Sequence, residues 1–191
     1  MSKGRLEAFS DGVIAILITI MVLELRPPDG TDLAALAPLA PVFLSYVLSF
    51  LYVGTYWNNH HHMLQAAKVV DGRVLWTNMH LLFWLSLFAF GTAWMGEDGF
   101  APVPTAAYGF ILLMAAIAYT LLLRALIAAP GQPPALAEAI GGDAKGKISL
   151  AIYVVAIPVA LAAPIAALAL YTVVAGIWFI PDRRIERVLA R

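Results

Sequence analysis

Five stretches of this chain run for 20 residues or more with almost no charge: 6–25, 36–58, 74–95, 103–127 and 148–180. About 20 apolar residues suffice for a helix to cross the hydrocarbon of a bilayer. The last stretch is too long for one crossing and short for two. Pro158 and Pro164 sit near its middle, where a proline interrupts helical hydrogen bonding. It therefore reads as two short helices with a tight turn near Ala162-Pro164. The expectation is an all-α polytopic membrane protein, one domain over 1–191. Its six transmembrane helices fall at about 6–25, 36–58, 74–95, 103–127, 148–161 and 164–180.

Composition agrees. With 191 residues, 62% hydrophobic and 13% charged, a soluble fold has no interior large enough for the apolar surface, so the lipid bilayer is the expected solvent. Cysteine is absent, which excludes disulfides, thiolate metal sites and a cysteine nucleophile. A formal net charge of zero argues against nucleic acid as a partner. Lys3 and Arg5 ahead of an apolar run resemble a signal peptide. Asp11 interrupts that run, however, and Glu24-Leu25-Arg26-Pro27 follows it instead of a small-residue cleavage site. A retained first membrane helix is expected.

Six crossings place every lysine and arginine except Arg26 on one side, including the tail residues Arg183, Arg184, Arg187 and Arg191. The positive-inside rule then puts both termini in the cytoplasm and the chain in the cell membrane. Trp57, Trp76 and Trp178 near inner ends and Trp94 near an outer end fit an interfacial belt. Pro130 to Lys147, with GQPP and GGD, reads as a flexible cytoplasmic loop.

In the first helix, steps of three and four align Phe9, Gly12, Ile16, Thr19, Ile20 and Leu23 on one face. Such a face suits a packing surface, with Thr19 bonded back to its own helix, or the wall of a pore. Asp11 points away from it. Asp11 lies about 9 Å along the axis from Arg5, and His80 about 10 Å from Arg73, so the two share a depth. An interhelical network of Arg5, Ser10, Asp11 and His80 is therefore expected, as structural glue, as part of a gate, or both.

Arg5 with Phe9-Ser10-Asp11, then an apolar helix with threonine ending in LEL, resembles the transmembrane protein 175 family of potassium channels. TYWNNHHHML after the second span and LSLFAFGTAWMGE in the third are similar to that family as well. The resemblance implies a potassium-permeable cation channel that assembles as a homotetramer, with the first helix of each subunit around a central pore. By distance from the FSD motif it implies a hydrophobic gate at Ile16, with Ile20 and Leu23 as further layers. Thr19 matches the threonine implicated in favouring potassium, with modest selectivity over sodium. No TVGYG-like filter is present. No cofactor or metal is expected beyond the permeant potassium ion.

Other signals are weaker. Consecutive helical residues point about 100° apart, so His60-His61-His62 cannot converge on one metal. No HExxH, nucleophile triad spacing or phosphate-binding glycine loop occurs, so an enzyme is not expected. Two alternatives to a channel remain: a proton-coupled secondary transporter relaying through Asp11 and His80, and a non-conducting scaffold.

Overall fold

The structure is a computed structural model that describes residues 2–133 and 143–179. Proline, glycine and capping carboxylates set most of the helix limits. α1 (Lys3–Leu23) stops just ahead of Pro27-Pro28. A short 3-10 segment, Leu33–Leu39, follows, opened by the Asp32 carboxylate, which accepts from the Ala35 amide at 3.0 Å. α2 (Ala40–Ala66) is displaced from the expected 36–58 at both ends. Pro41 lies in its first turn and Pro38 before it, the places where a missing N–H costs nothing. At the other end nothing in the run Trp57 to Ala66 breaks a helix, so it continues through the three histidines.

α3 (Gly72–Glu97) is opened by Asp71, whose carboxylate accepts from the Val74 amide at 2.9 Å. The turn after it takes Gly99 and Phe100 through left-handed backbone, φ +58 and +63. The Phe100 amide donates to the Met95 carbonyl at 2.9 Å, and that bond compensates the unusual conformation. α4 (Pro102–Ala128) carries Pro102 in its first turn. α5 (Ala144–Ala162) is capped by Asp143, which accepts from the Gly146 amide at 2.8 Å. It retains Pro158 within its length. The break falls at Ala163, and α6 (Pro164–Phe179) begins on the next proline.

Among the described residues there are thus six α-helices, and five are long and apolar enough to cross a membrane; α6 is apolar but shorter, with 16 residues. Lys145 and Lys147, expected in the long loop, belong to the start of α5. Residues 134–142 of that loop, Ile180 at the expected end of the last helix, and Arg183, Arg184, Arg187 and Arg191 lie outside the described residues.

α3 and α4 pack most extensively; α5 and α6 lean on α4, and α2 bridges α3 and α6. The seam between α2, α4 and α6 is polar. Ser49 and the Tyr108 hydroxyl are 2.8 Å apart, Tyr52 donates to the Tyr171 carbonyl at 2.6 Å, and Tyr153 donates to Tyr52 at 3.1 Å. In hydrocarbon such groups have no water to turn to, so they pair across helices. Gly109 is small because of this seam: a Cβ there would collide with the hydroxyl and ring of Tyr171, which donates to the Thr105 carbonyl at 3.2 Å. Gly109→Ala should lower stability by about 1–3 kcal/mol, the usual cost of overpacking. Thermal unfolding of the purified protein in detergent measures it.

Candidate functional site

α1 stands apart from that core. Among the described helices it packs chiefly on α3 and α2, through one stripe: Leu6, Ser10, Ile14, Leu17 and Met21, at steps of three and four. The opposite side is bare. Ile16 is 59% exposed, Ile20 44% and Leu23 77%, and Gly12, Ala15 and Thr19 lie exposed between them. Phe9 is 48% exposed at the N-terminal end of the same face. One subunit therefore covers half of its first helix and leaves the other half to something else.

Thr19 has a specific arrangement on that face. Its hydroxyl donates to the Ile16 carbonyl at 2.7 Å. The proton is thus committed to the helix's own backbone, and the oxygen's lone pairs are left for an acceptor role outward.

The buried side of α1 is anchored by polar residues, in a different combination from the one expected. Ser10 is fully buried and accepts from Asn78 Nδ2 at 3.0 Å. Asn78 Oδ1 lies 2.7 Å from His60 Nε2. Because the amide donates through Nδ2 and accepts through Oδ1, His60 carries its proton on Nε2. Asn78 therefore joins three helices: α1 through Ser10, α2 through His60, and its own α3.

Asp11 has a separate partner: its Oδ1 accepts from Trp57 Nε1 at 2.9 Å, and Trp57 stacks on His61 at 6.1 Å. His80 is not in this network. Asn78 and His80 are two residues apart on α3, so they point about 200° apart and only one can face α1. His80 instead accepts from Trp84 Nε1 at 2.9 Å, and Trp84 packs edge-on against Phe110 of α4. The Arg5 guanidinium has no hydrogen-bond partner among the described residues; it borders a cavity of about 450 Å³ with Phe9, Trp76 and Met79. Of the four expected members, then, only Ser10 joins the three-helix clasp, Asp11 makes its own bond to α2, and Arg5 and His80 stand apart.

Asn78, His60 and Trp57 were not among the expected site residues. A signal for Asn78 was available: it shares the stripe of Val74, Leu81, Leu82 and Leu85, the buried side of α3, whereas His80 lies off it. The histidine run divides accordingly, His60 buried, His61 exposed and His62 half-buried.

A second fastening lies where the N-terminal end of α1 meets the C-terminal end of α2. Lys3 Nζ donates to the carbonyls of Gln65 at 3.1 Å and Ala67 at 3.0 Å, and it lies 3.8 Å from Glu7. Those carbonyls close the C-terminus of α2, where helical acceptors lack partners and the dipole favours a cation.

Comparison with known proteins gives the family. The family model described as "Endosomal/lysosomal potassium channel TMEM175" matches residues 5–88, which carry Arg5, Ser10, Asp11, His60 and Asn78. The chain is 53% identical over 189 residues to a potassium channel of Chryseobacterium sp. (strain P1-3), covering 99% of this chain and 98% of that one. It is 38% identical over 96 residues to the endosomal/lysosomal proton channel TMEM175 of Homo sapiens, 44% of this chain and 19% of the human protein. Among solved structures, the lysosomal potassium-selective channel TMEM175 homolog from Chamaesiphon minutus superposes with a TM-score of 0.80 at 26% identity, over 94% of this chain and 97% of that one. The chain belongs to the TMEM175 family.

Proposed function

We propose that the chain is a potassium-permeable cation channel in which the first helices of four copies surround an axial pore. The observation that carries this reading is the bare face of α1, with Ile16, Thr19, Ile20 and Leu23 uncovered in one subunit. The relatives named as potassium channels support it, the Chryseobacterium protein over nearly the whole length. Four Ile16 side chains at one level form an apolar ring that sheds water and blocks ions when narrow, with Ile20 and Leu23 as outer layers. Opening requires α1 to tilt or rotate until that ring widens. Ser10 and Asn78 anchor the back of the helix while this happens. By the charge rule both termini lie in the cytoplasm and the protein resides in the cell membrane.

Thr19 forms the next layer. With its proton held on Ile16, the hydroxyl presents oxygen to a passing cation and replaces part of a hydration shell. Neutral oxygens bind weakly, so selectivity of potassium over sodium is modest. Thr19→Ala should bring the permeability ratio of potassium to sodium close to one, read as a shift of the reversal potential in mixed-ion bilayers. An unchanged ratio removes the hydroxyl from selectivity.

The test of the function itself is flux from liposomes containing the purified protein. A channel passes potassium down its gradient, faster than sodium and without a counter-substrate. Flux that saturates and needs a coupled ion favours a transporter, and no flux favours a scaffold. A relay from Asp11 to His80 has little support, because each side chain bonds a different tryptophan.

A further inference from the structure

The second fastening has a consequence for the gate. α1 reaches the rest of its subunit through α2 and α3, and its N-terminal end is tied by Lys3 to the last carbonyls of α2. The turn that follows those carbonyls is held from the other side. Gln132, just beyond α4, accepts from the Lys68 amide at 2.8 Å and donates to the Val69 carbonyl at 2.8 Å. One short segment, 67–69, thus receives α1 on one flank and the exit of α4 on the other. Its bonds are reciprocal with Gln132 and charge-assisted with Lys3, the stronger class.

We propose that Lys3 is a positioning residue for the gate: by capping α2 it sets the N-terminal end of α1, and Gln132 braces the turn that Lys3 grips. Lys3 touches neither the pore stripe nor an ion. It acts by fixing where α1 begins, and a helix held at that end and at Ser10 carries Ile16 to a defined place. Glu7, one turn along, keeps the ammonium from turning away. In this proposal the bonded arrangement is the closed one: a tilt of α1 about Ser10 that widens the ring moves its N-terminal end and breaks or stretches these bonds. The inference rests on the channel reading and extends it to the origin of the closed state.

The test uses the full chain in liposomes. Lys3→Met keeps the aliphatic stem and removes the donors; it should raise resting potassium flux by about tenfold, a modest net effect for two partly solvated charge-assisted bonds made only in the closed state. Lys3→Arg keeps a cation within reach of both carbonyls and should restore wild-type flux, which a purely steric role would not. Gln132→Ala should raise flux less, and adding it to Lys3→Met should give less than the product of the two effects, since both act on one turn. The same variants built on Ile16→Cys report the helix position without current. The thiol's reaction with an impermeant cationic reagent should quicken with Lys3→Met and stay slow with Lys3→Arg. Wild-type flux in Lys3→Met, or equal increases in Lys3→Met and Lys3→Arg, overturns the proposal. Should Lys3→Met fail to assemble, Gln132→Ala alone decides: unchanged flux overturns it. A wild-type protein that carries no current overturns the channel reading instead.

Discussion

Replacing Ile16 with asparagine should make the channel leak. An apolar ring excludes ions because water leaves it and nothing replaces the ion's lost hydration. In the proposed tetramer, four amides at the same level offer donors and acceptors to water and ion alike. If each contributes only ~0.5 kcal/mol, the low end for a net hydrogen bond, the barrier falls by ~2 kcal/mol, about thirtyfold in rate. The side chain is 59% exposed in the subunit, so the substitution leaves the fold of the subunit intact. Single-channel and flux recordings at resting potential measure it. Unchanged current in Ile16→Asn would place the constriction at Ile20 or Leu23, the next layers of the same stripe.

The largest loss of stability should follow from Asn78→Ala. This amide satisfies two buried groups at once, Ser10 on α1 and His60 on α2. Removing it orphans both in a medium without water, at about 1–3 kcal/mol each. The expected loss is roughly 2–6 kcal/mol in thermal or denaturant unfolding of the purified protein, with α1 released first because it has the least other support. His80→Ala, on the other side of α3, removes one half-buried acceptor for Trp84 and should cost only ~1 kcal/mol. Equal losses from the two substitutions would contradict the assignment of Asn78 as the hub.

The contrast between these two residues marks where reading the sequence succeeds and where it stops. Depth along a helix follows directly from the residue count, and by depth Asp11 and His80 belong together. Azimuth depends on which side of α3 faces α1, a property of packing between helices. The buried stripe of α3 identifies that side, and it selects Asn78. Likewise the six apolar segments and the break before Pro164 follow from hydrophobic length and proline chemistry alone. The limits of α2 do not: Pro38 and Pro41 delay its start, and its polar tail remains helical because His60 and Met63 are buried against the rest of the bundle. Lys3 read as a flanking charge in the sequence; only the fold brings the carbonyls of Gln65 and Ala67 to it.

The proposed pore stripe combines both kinds of information. Its spacing is visible in the sequence, while its being bare required the arrangement of α2 and α3 behind it. Lipid, a dry contact with another protein surface and an aqueous axis all fit a bare face on a membrane helix, and only the last lets water reach it. The chain has no cysteine, so single thiols can be introduced without background. Thiols placed by Ile20→Cys and Leu23→Cys in assembled, reconstituted protein should react rapidly with an impermeant cationic reagent and lose current as they do. A thiol from Val155→Cys, exposed on α5, a helix that does not pack extensively on α1, should stay inert. Reaction at Ile20 and Leu23 as slow as at Val155, with current unaffected, would mean that water never reaches this face of the first helix.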